Sequence, residues 1–185
     1  MQLVWPSAEH LPSYVAALEK GWSADNVRGQ VAAREELERI AADAQGFIAS
    51  MVDREAKGAP VTLPDDSFAK RIPGFRQWMW DGEFCGVIGL RWQSGTTALP
   101  PHCLGHIGYA VVPWKQRKGY ATAALRQLLP AAKLEGLPFV EITTDPDNIA
   151  SQHVIQANGG VLFETFTKPE QFGGVPGLRY RIVLA

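Results

Sequence analysis

Within residues 31–54 the apolar side chains Leu37, Ile40, Ala41, Ala44, Phe47, Ile48, Met51 and Val52 recur every three to four positions. That is the spacing of one helix face, and Gly46 is the expected break in it. Ahead of this helix, residues 2–5 read as a short extended start. Pro6 and Ser7 read as the opening of a helix that reaches Lys20 and stops at Gly21. Residues 58–73, rich in Pro and Asp and without a sustained period, predict a long loop. The period then drops to that of strands. Residues 75–80 and 83–92 are aromatic and β-branched runs joined by Asp81-Gly82, a hairpin signal.

A turn-rich connection, 94–105, leads to a third strand, 107–112, closed by Pro113. Residues 122–135 predict a helix with Ala121, Leu125, Leu128, Leu129 and Ala132 on one face and a kink at Pro130, which removes the hydrogen bond to Arg126. A strand at 139–144, a short helix at 148–157 ended by Asn158-Gly159, and a last pair of strands at 161–167 and 179–184 complete the pattern. Helices come first, then mostly antiparallel strands with two helical crossovers, which gives an α+β mixed-sheet class.

Composition narrows the partners. A chain of 185 residues, 46% hydrophobic, fits one domain with a helical part near 7–56 and a sheet core near 75–184. A formal charge of −1 gives no general attraction to nucleic acid or anionic membrane, so any cationic site must be local. Cys85 and Cys103 are too few for a disulfide framework and fit a reducing compartment. With no apolar run of membrane-spanning length and no leader pattern, the expected location is cytoplasmic.

The local cationic site is at Gln116-Arg117-Lys118-Gly119-Tyr120-Ala121, between a strand and a helix. A helix N-terminus offers unpaired N–H groups and partial positive charge, Gly119 lets the backbone approach a ligand, and Arg117 and Lys118 add charge. Together these describe a pyrophosphate cradle, although a plain basic turn at a surface helix has the same local spacing. Neither a Walker loop nor a dinucleotide fingerprint is present.

The same six residues meet the Gln/Arg-x-x-Gly-x-Gly/Ala motif, and the chain from 75 to 184 thereby resembles the GCN5-related N-acetyltransferase (GNAT) family. Support lies upstream in Ile107-Gly108-Tyr109-Ala110-Val111-Val112-Pro113 and downstream in Asn148-Ile149-Ala150-Ser151 and Asn158-Gly159-Gly160. The resemblance implies that strands 107–112 and 139–144 run parallel and splay apart around acetyl-CoA. It implies that the pantetheine arm bonds backbone groups of Val111 and Val112 as an added strand. The diphosphate would rest on the amides from Arg117 through Lys118, Gly119, Tyr120 and Ala121 to Thr122, beside Gln116. Asn148 would touch the pantetheine arm or cap its helix, with Ser151 facing the same way.

The implied reaction moves an acetyl group to a primary amine of a small molecule, peptide N-terminus or lysine, by direct attack in a ternary complex. Such transfer needs a neutral amine, donors for the oxyanion and a proton for the leaving thiolate. The family's usual Tyr, seven residues beyond Asn148, is here Ile155. The acid is therefore open among Ser151, Tyr109 and a water. His106 can serve as base or be a strand-end histidine; Glu83 and Glu141 read as solvated or ion-paired. His102, Cys103 and His106 lack the spacing and fourth ligand of a zinc site, so no metal is expected. Trp78, Trp80, Trp92 and Trp114 read as packing residues, with Trp92 and Trp114 also able to border a pocket. Residues 169–177 form either a hairpin loop or a cover over the acceptor. Ile155 also keeps a second reading open, a non-catalytic acyl-CoA-binding module; a site for some other diphosphate is a third. The chain is expected to be a monomer or homodimer.

Overall fold

In the computed structural model residues 1–63, 65 and 67–184 are described. Strand β1 (Gln2–Val4) is followed by helix α1 (Leu11–Glu19), α2 (Gln30–Ala42) and α3 (Ala44–Ala49). The first helix starts later than Pro6-Ser7 suggested, because the Ser7 carbonyl accepts the amides of His10 and Leu11 in a preceding turn. The long second helix breaks at Asp43, not at Gly46. The Asp43 carboxylate accepts the Gly46 amide at 2.8 Å and caps α3, and this side-chain bond ends α2 more effectively than a glycine would. Val52 then leaves the helical face altogether and enters strand β2 (Val52–Asp53).

Two short strands, β3 (Val61–Thr62) and β4 (Phe68–Ala69), pair within the region read as a long loop; Pro64 and Asp66 in that region lie outside the described residues. Next come β5 (Gly74–Trp80), β6 (Phe84–Arg91) and β7 (Ile107–Val111), joined antiparallel in the order β1-β5-β6-β7, with β2 also paired to β5. The second sheet has the order β8-β10-β9, from β8 (Phe139–Thr144), β9 (Val161–Thr167) and β10 (Pro176–Val183). Helices α4 (Tyr120–Leu134) and α5 (Ile149–Gln156) flank β8 in the chain.

Helices cover the first sheet on both faces. On one, Tyr14 stacks on Trp78 with ring centroids 4.8 Å apart, and Phe47, Trp22, Phe84, Val87 and Val112 complete an apolar cluster. On the other, Ala124, Leu125, Leu128 and Ala132 of α4 are fully buried against Ile88, Leu90 and Ile107. The same cluster continues into Val140, Ile142, Tyr180 and Ile182, so one core spans both sheets. Burying each of the leucine, isoleucine and valine side chains among them contributes about 1.5–3 kcal/mol before entropy is counted. Pro130 is carried inside α4, which continues to Leu134. Arg126 and Pro130 are both exposed, so water can satisfy the carbonyl that the proline leaves without a donor.

Strands β7 and β8 lie side by side in separate sheets. They touch where the His106 amide donates to the Glu141 carbonyl at 2.7 Å. Farther along, Tyr109 of β7 reaches Ser151 at the start of α5, which follows the C-terminal end of β8. The two strands therefore point the same way and part toward their C-terminal ends. Gly105 makes the contact possible. A Cβ there would lie 2.9 Å from the Glu141 carbonyl oxygen and 3.3 Å from the Ile142 Cα. Replacing Gly105 with Ala should lower stability by roughly 1–3 kcal/mol through this overpacking, seen as an earlier urea midpoint. An unchanged midpoint would mean that the sheets do not bear on each other at this residue.

Candidate functional site

β7 ends at a 3-10 turn, Pro113–Lys115, and the chain then takes two left-handed residues before α4 begins. Arg117 has φ of +59° and Gly119 φ of +75°. Such a conformation costs a non-glycine residue on the order of 1 kcal/mol, and alternating it with ordinary residues turns successive amides toward one concavity. Gly119 is the N-cap of α4 and the helix has no side-chain cap. Among the described residues, no hydrogen-bond acceptor meets the amides of Arg117, Lys118, Gly119, Tyr120, Ala121 or Thr122. Six donors at a helix start, with exposed Arg117 and Lys118, suit a dianionic group.

The cradle is anchored from outside. Tyr120 donates its hydroxyl to Asp81 at 2.6 Å, and the Lys115 ammonium donates to both Asp81 oxygens at 3.0 Å and pairs with Glu83 at 2.6 Å. The Asp81-Gly82 turn of the β5–β6 hairpin is thus clipped to both ends of the segment. The Tyr120 hydroxyl and the Lys115 ammonium hold the Asp81 carboxyl well below the ordinary carboxylate range. Glu83 and Asp81 in turn push Lys115 upward. Beneath them Cys85 is pushed up to about 12, mainly by burial and then by Asp81, which leaves it a neutral thiol.

The mouth between β7 and β8 can be traced through the ladders. Val112 donates to Cys85 and its carbonyl accepts the Lys115 amide. Alternation then directs the backbone groups of Ala110 and Gly108 to β6, and those of Tyr109 and Val111 away from it. Val111 therefore presents its amide to the mouth. Val112, expected to share that duty, has its amide spent within the sheet. The Gln116 side chain folds back to the Val111 carbonyl at 3.3 Å. On the facing strand, Leu184 donates to Pro138, so the same alternation turns the backbone groups of Glu141 and Thr143 toward β7.

Across the mouth, the Tyr109 hydroxyl lies 2.8 Å from Ser151 Oγ and 3.3 Å from the Ser151 carbonyl. Burial pushes the Tyr109 phenol up to about 12, so it is protonated at neutral pH. Ser151 stands one turn before Ile155 on α5, and Ile155 is wholly buried in the core. Asn148 caps α5, its side-chain oxygen accepting the Ser151 amide at 3.0 Å. Asn158, at the far end of that helix, donates to the Thr122 carbonyl at 3.2 Å and ties α5 to the start of α4.

His106 is completely buried, not at a strand's open end. Its Nδ1 accepts the Glu141 amide at 3.0 Å, and Nε2 has no hydrogen-bond partner of good geometry among the described residues. Burial lowers its pKa, outweighing the upward pull of Glu141. The Glu141 carboxylate pairs with Arg181 at 2.6 Å and Arg179 at 3.7 Å. Trp114 is half exposed, with the Lys20 ammonium 4.7 Å above its ring, while Trp78 and Trp92 are core residues. A groove of about 450 Å³ brings Thr97, Pro101, Phe139, Glu141 and Pro169 together. No cluster of three potential metal ligands occurs among the described residues. Nor is any helix there long and apolar enough to cross a membrane.

A family model described as an acetyltransferase (GNAT) domain matches residues 3–161. Among solved structures, an acetyltransferase from Salmonella typhimurium described as modifying the N-terminal serine of ribosomal protein L7/L12 is 16% identical, with a TM-score of 0.59 over 99% of this chain and 94% of its own. The microcin C7 self-immunity acetyltransferase MccE, in complex with acetyl-CoA and AMP, is 15% identical, with a TM-score of 0.58 over 98% and 91%. A putative ribosomal-protein-serine acetyltransferase from Vibrio cholerae is 15% identical, with 0.55 over 98% and 92%. These likenesses concern the fold. No curated protein matches the chain in sequence.

Asp81 allows a test of the clip. Its pKa is lowered in the folded chain, so its contribution to stability is whole above the unfolded value near 3.9 and is lost as pH falls below it. Asp81→Asn should unfold at lower urea than wild type from pH 5 to 8, and the gap should narrow below about pH 4. A gap that stays constant down to pH 2 would show that the carboxylate's charge is not what holds the hairpin to the cradle.

Proposed function

Since the chain belongs to the GNAT acetyltransferase family, we propose that it transfers an acetyl group from acetyl-CoA to a primary amine, with Tyr109 as the proton donor to the departing thiolate. The observation that carries this reading is the Tyr109–Ser151 contact at 2.8 Å. It sets a phenol against α5 one turn before Ile155, and so supplies from the facing strand the phenolic hydroxyl that Ile155 does not.

Donor binding, oxyanion stabilisation and thiolate protonation each have a matching group. The amides from Arg117 to Thr122 suit a diphosphate, and the Val111 amide suits an extended amide-bearing arm entering as an extra strand. Acetyl-CoA, when bound, supplies an acetyl group activated as a thioester. With the Val111 amide engaged by the arm, the Tyr109 amide, which also faces the mouth, can donate to the carbonyl oxygen as negative charge develops on it. The amine attacks as the neutral base, forming a C–N bond while the C–S bond breaks. Its surplus proton passes to water, and the thiolate takes the Tyr109 proton, which Ser151 helps to replace. Small amines, peptide N-termini and lysine side chains all meet these requirements.

Purified protein should release free thiol from acetyl-CoA only when an accepted amine is present, with the acetylated product confirmed by mass. Tight CoA binding without turnover on a broad amine panel would replace this reading with that of a binding module. Tyr109→Phe, which keeps the ring, should lower kcat by about 10²–10³-fold and leave the acetyl-CoA KM within about threefold. Ser151→Ala should have a smaller effect of the same kind. Full activity in Tyr109→Phe would remove the phenol from the mechanism.

A further inference from the structure

We propose that His106 is the positioning residue of the cleft, its imidazole Nδ1 taking the place of a strand carbonyl at the one rung between β7 and β8. The value of an open mouth rests on the acetyl-CoA reading above; the clamp itself does not. In a regular parallel pair the Glu141 amide would bond a main-chain carbonyl of the neighbouring strand. Here it bonds a side chain at 3.0 Å, while the His106 amide returns a bond to the Glu141 carbonyl at 2.7 Å. The His106 backbone is fixed to the first sheet, its carbonyl accepting the Arg91 amide at 2.9 Å, and Phe139 stands edge-on to the ring with centroids 6.5 Å apart.

A side-chain acceptor satisfies Glu141 without bringing the next β7 carbonyl into register. Pairing can therefore stop after one rung, and the backbone groups of Tyr109, Val111 and Thr143 are left facing the mouth. The same bond defines the ring's chemistry. An Nδ1 that accepts carries no hydrogen, so the imidazole is the neutral form with its proton on Nε2. That is a different use of His106 from proton abstraction, which would be made by an unprotonated Nε2.

Two substitutions separate the uses. Asn carries its side-chain oxygen close to where His carries Nδ1, whereas Gln places its terminal group near Nε2. In His106→Gln, CoA should bind about tenfold more weakly, with KM for acetyl-CoA rising more than kcat falls. His106→Asn should recover most of that affinity. Nitrogen NMR of the wild-type apo protein at neutral pH should show an Nε2–H ring coupled through a hydrogen bond to the Glu141 amide. An Nδ1–H ring, or equal loss of CoA affinity in both variants, would overturn the proposal. So would unchanged CoA affinity in both together with loss of kcat. If the wild type bound no CoA, the acetyltransferase reading would fall, and the ring's tautomer would still decide the clamp.

Discussion

Everything at the mouth depends on where two sheets stop being one. Gly105 rests directly on the backbone of Glu141 and Ile142, and a single rung joins β7 to β8 before they diverge. The contact is reinforced from the first sheet, because the Gly105 carbonyl accepts Arg91 Nε at 2.7 Å and the buried Cys103 thiol at 3.5 Å. A continuous ladder would use up the backbone groups that an extended ligand needs. A complete separation would let the apolar core under α4 take up water. The molecule holds an intermediate state by packing one core beneath both sheets while limiting the backbone bonds above it.

A second constraint acts at the cradle. A non-glycine residue in a left-handed conformation persists only where its surroundings hold it. Around Arg117 those surroundings are the Lys115–Asp81 ion pair, the Tyr120–Asp81 hydrogen bond and the Gln116 contact with Val111. The β5–β6 turn therefore helps to hold the segment before α4, although it lies more than thirty residues earlier in the chain. On the other flank Asn158 performs a similar task from the end of α5.

What could be read from the residues alone follows from how local each feature is. Gln116 to Ala121 is contiguous, and a turn leading into a helix is fixed by its own residue types, so the basic turn before α4 was legible there. Strand alternation likewise exposed β5, β6, β7 and β8. Gly46 misled, because the competing capping bond from Asp43 depends on geometry rather than on breaker propensity. His106 read as a strand-end residue because its partner, the Glu141 amide, is 35 positions away. The Tyr109–Ser151 contact joins residues 42 apart and has no local signal. Asp81 was visible as a turn residue, but its charge is used by Lys115 and Tyr120 across the fold.

The place of β10 in its sheet has a consequence for synthesis. Both β8 and β9 pair with it, and they do not pair with each other. As the chain leaves the ribosome, the first sheet and the cradle can assemble while β8 still has an empty edge. One lip of the mouth is then finished well before the other. Only when residues 176–183 emerge and slide between two waiting strands does the second lip gain its register. A nascent chain can thus have the turn before α4 in place while the facing lip is still without its register.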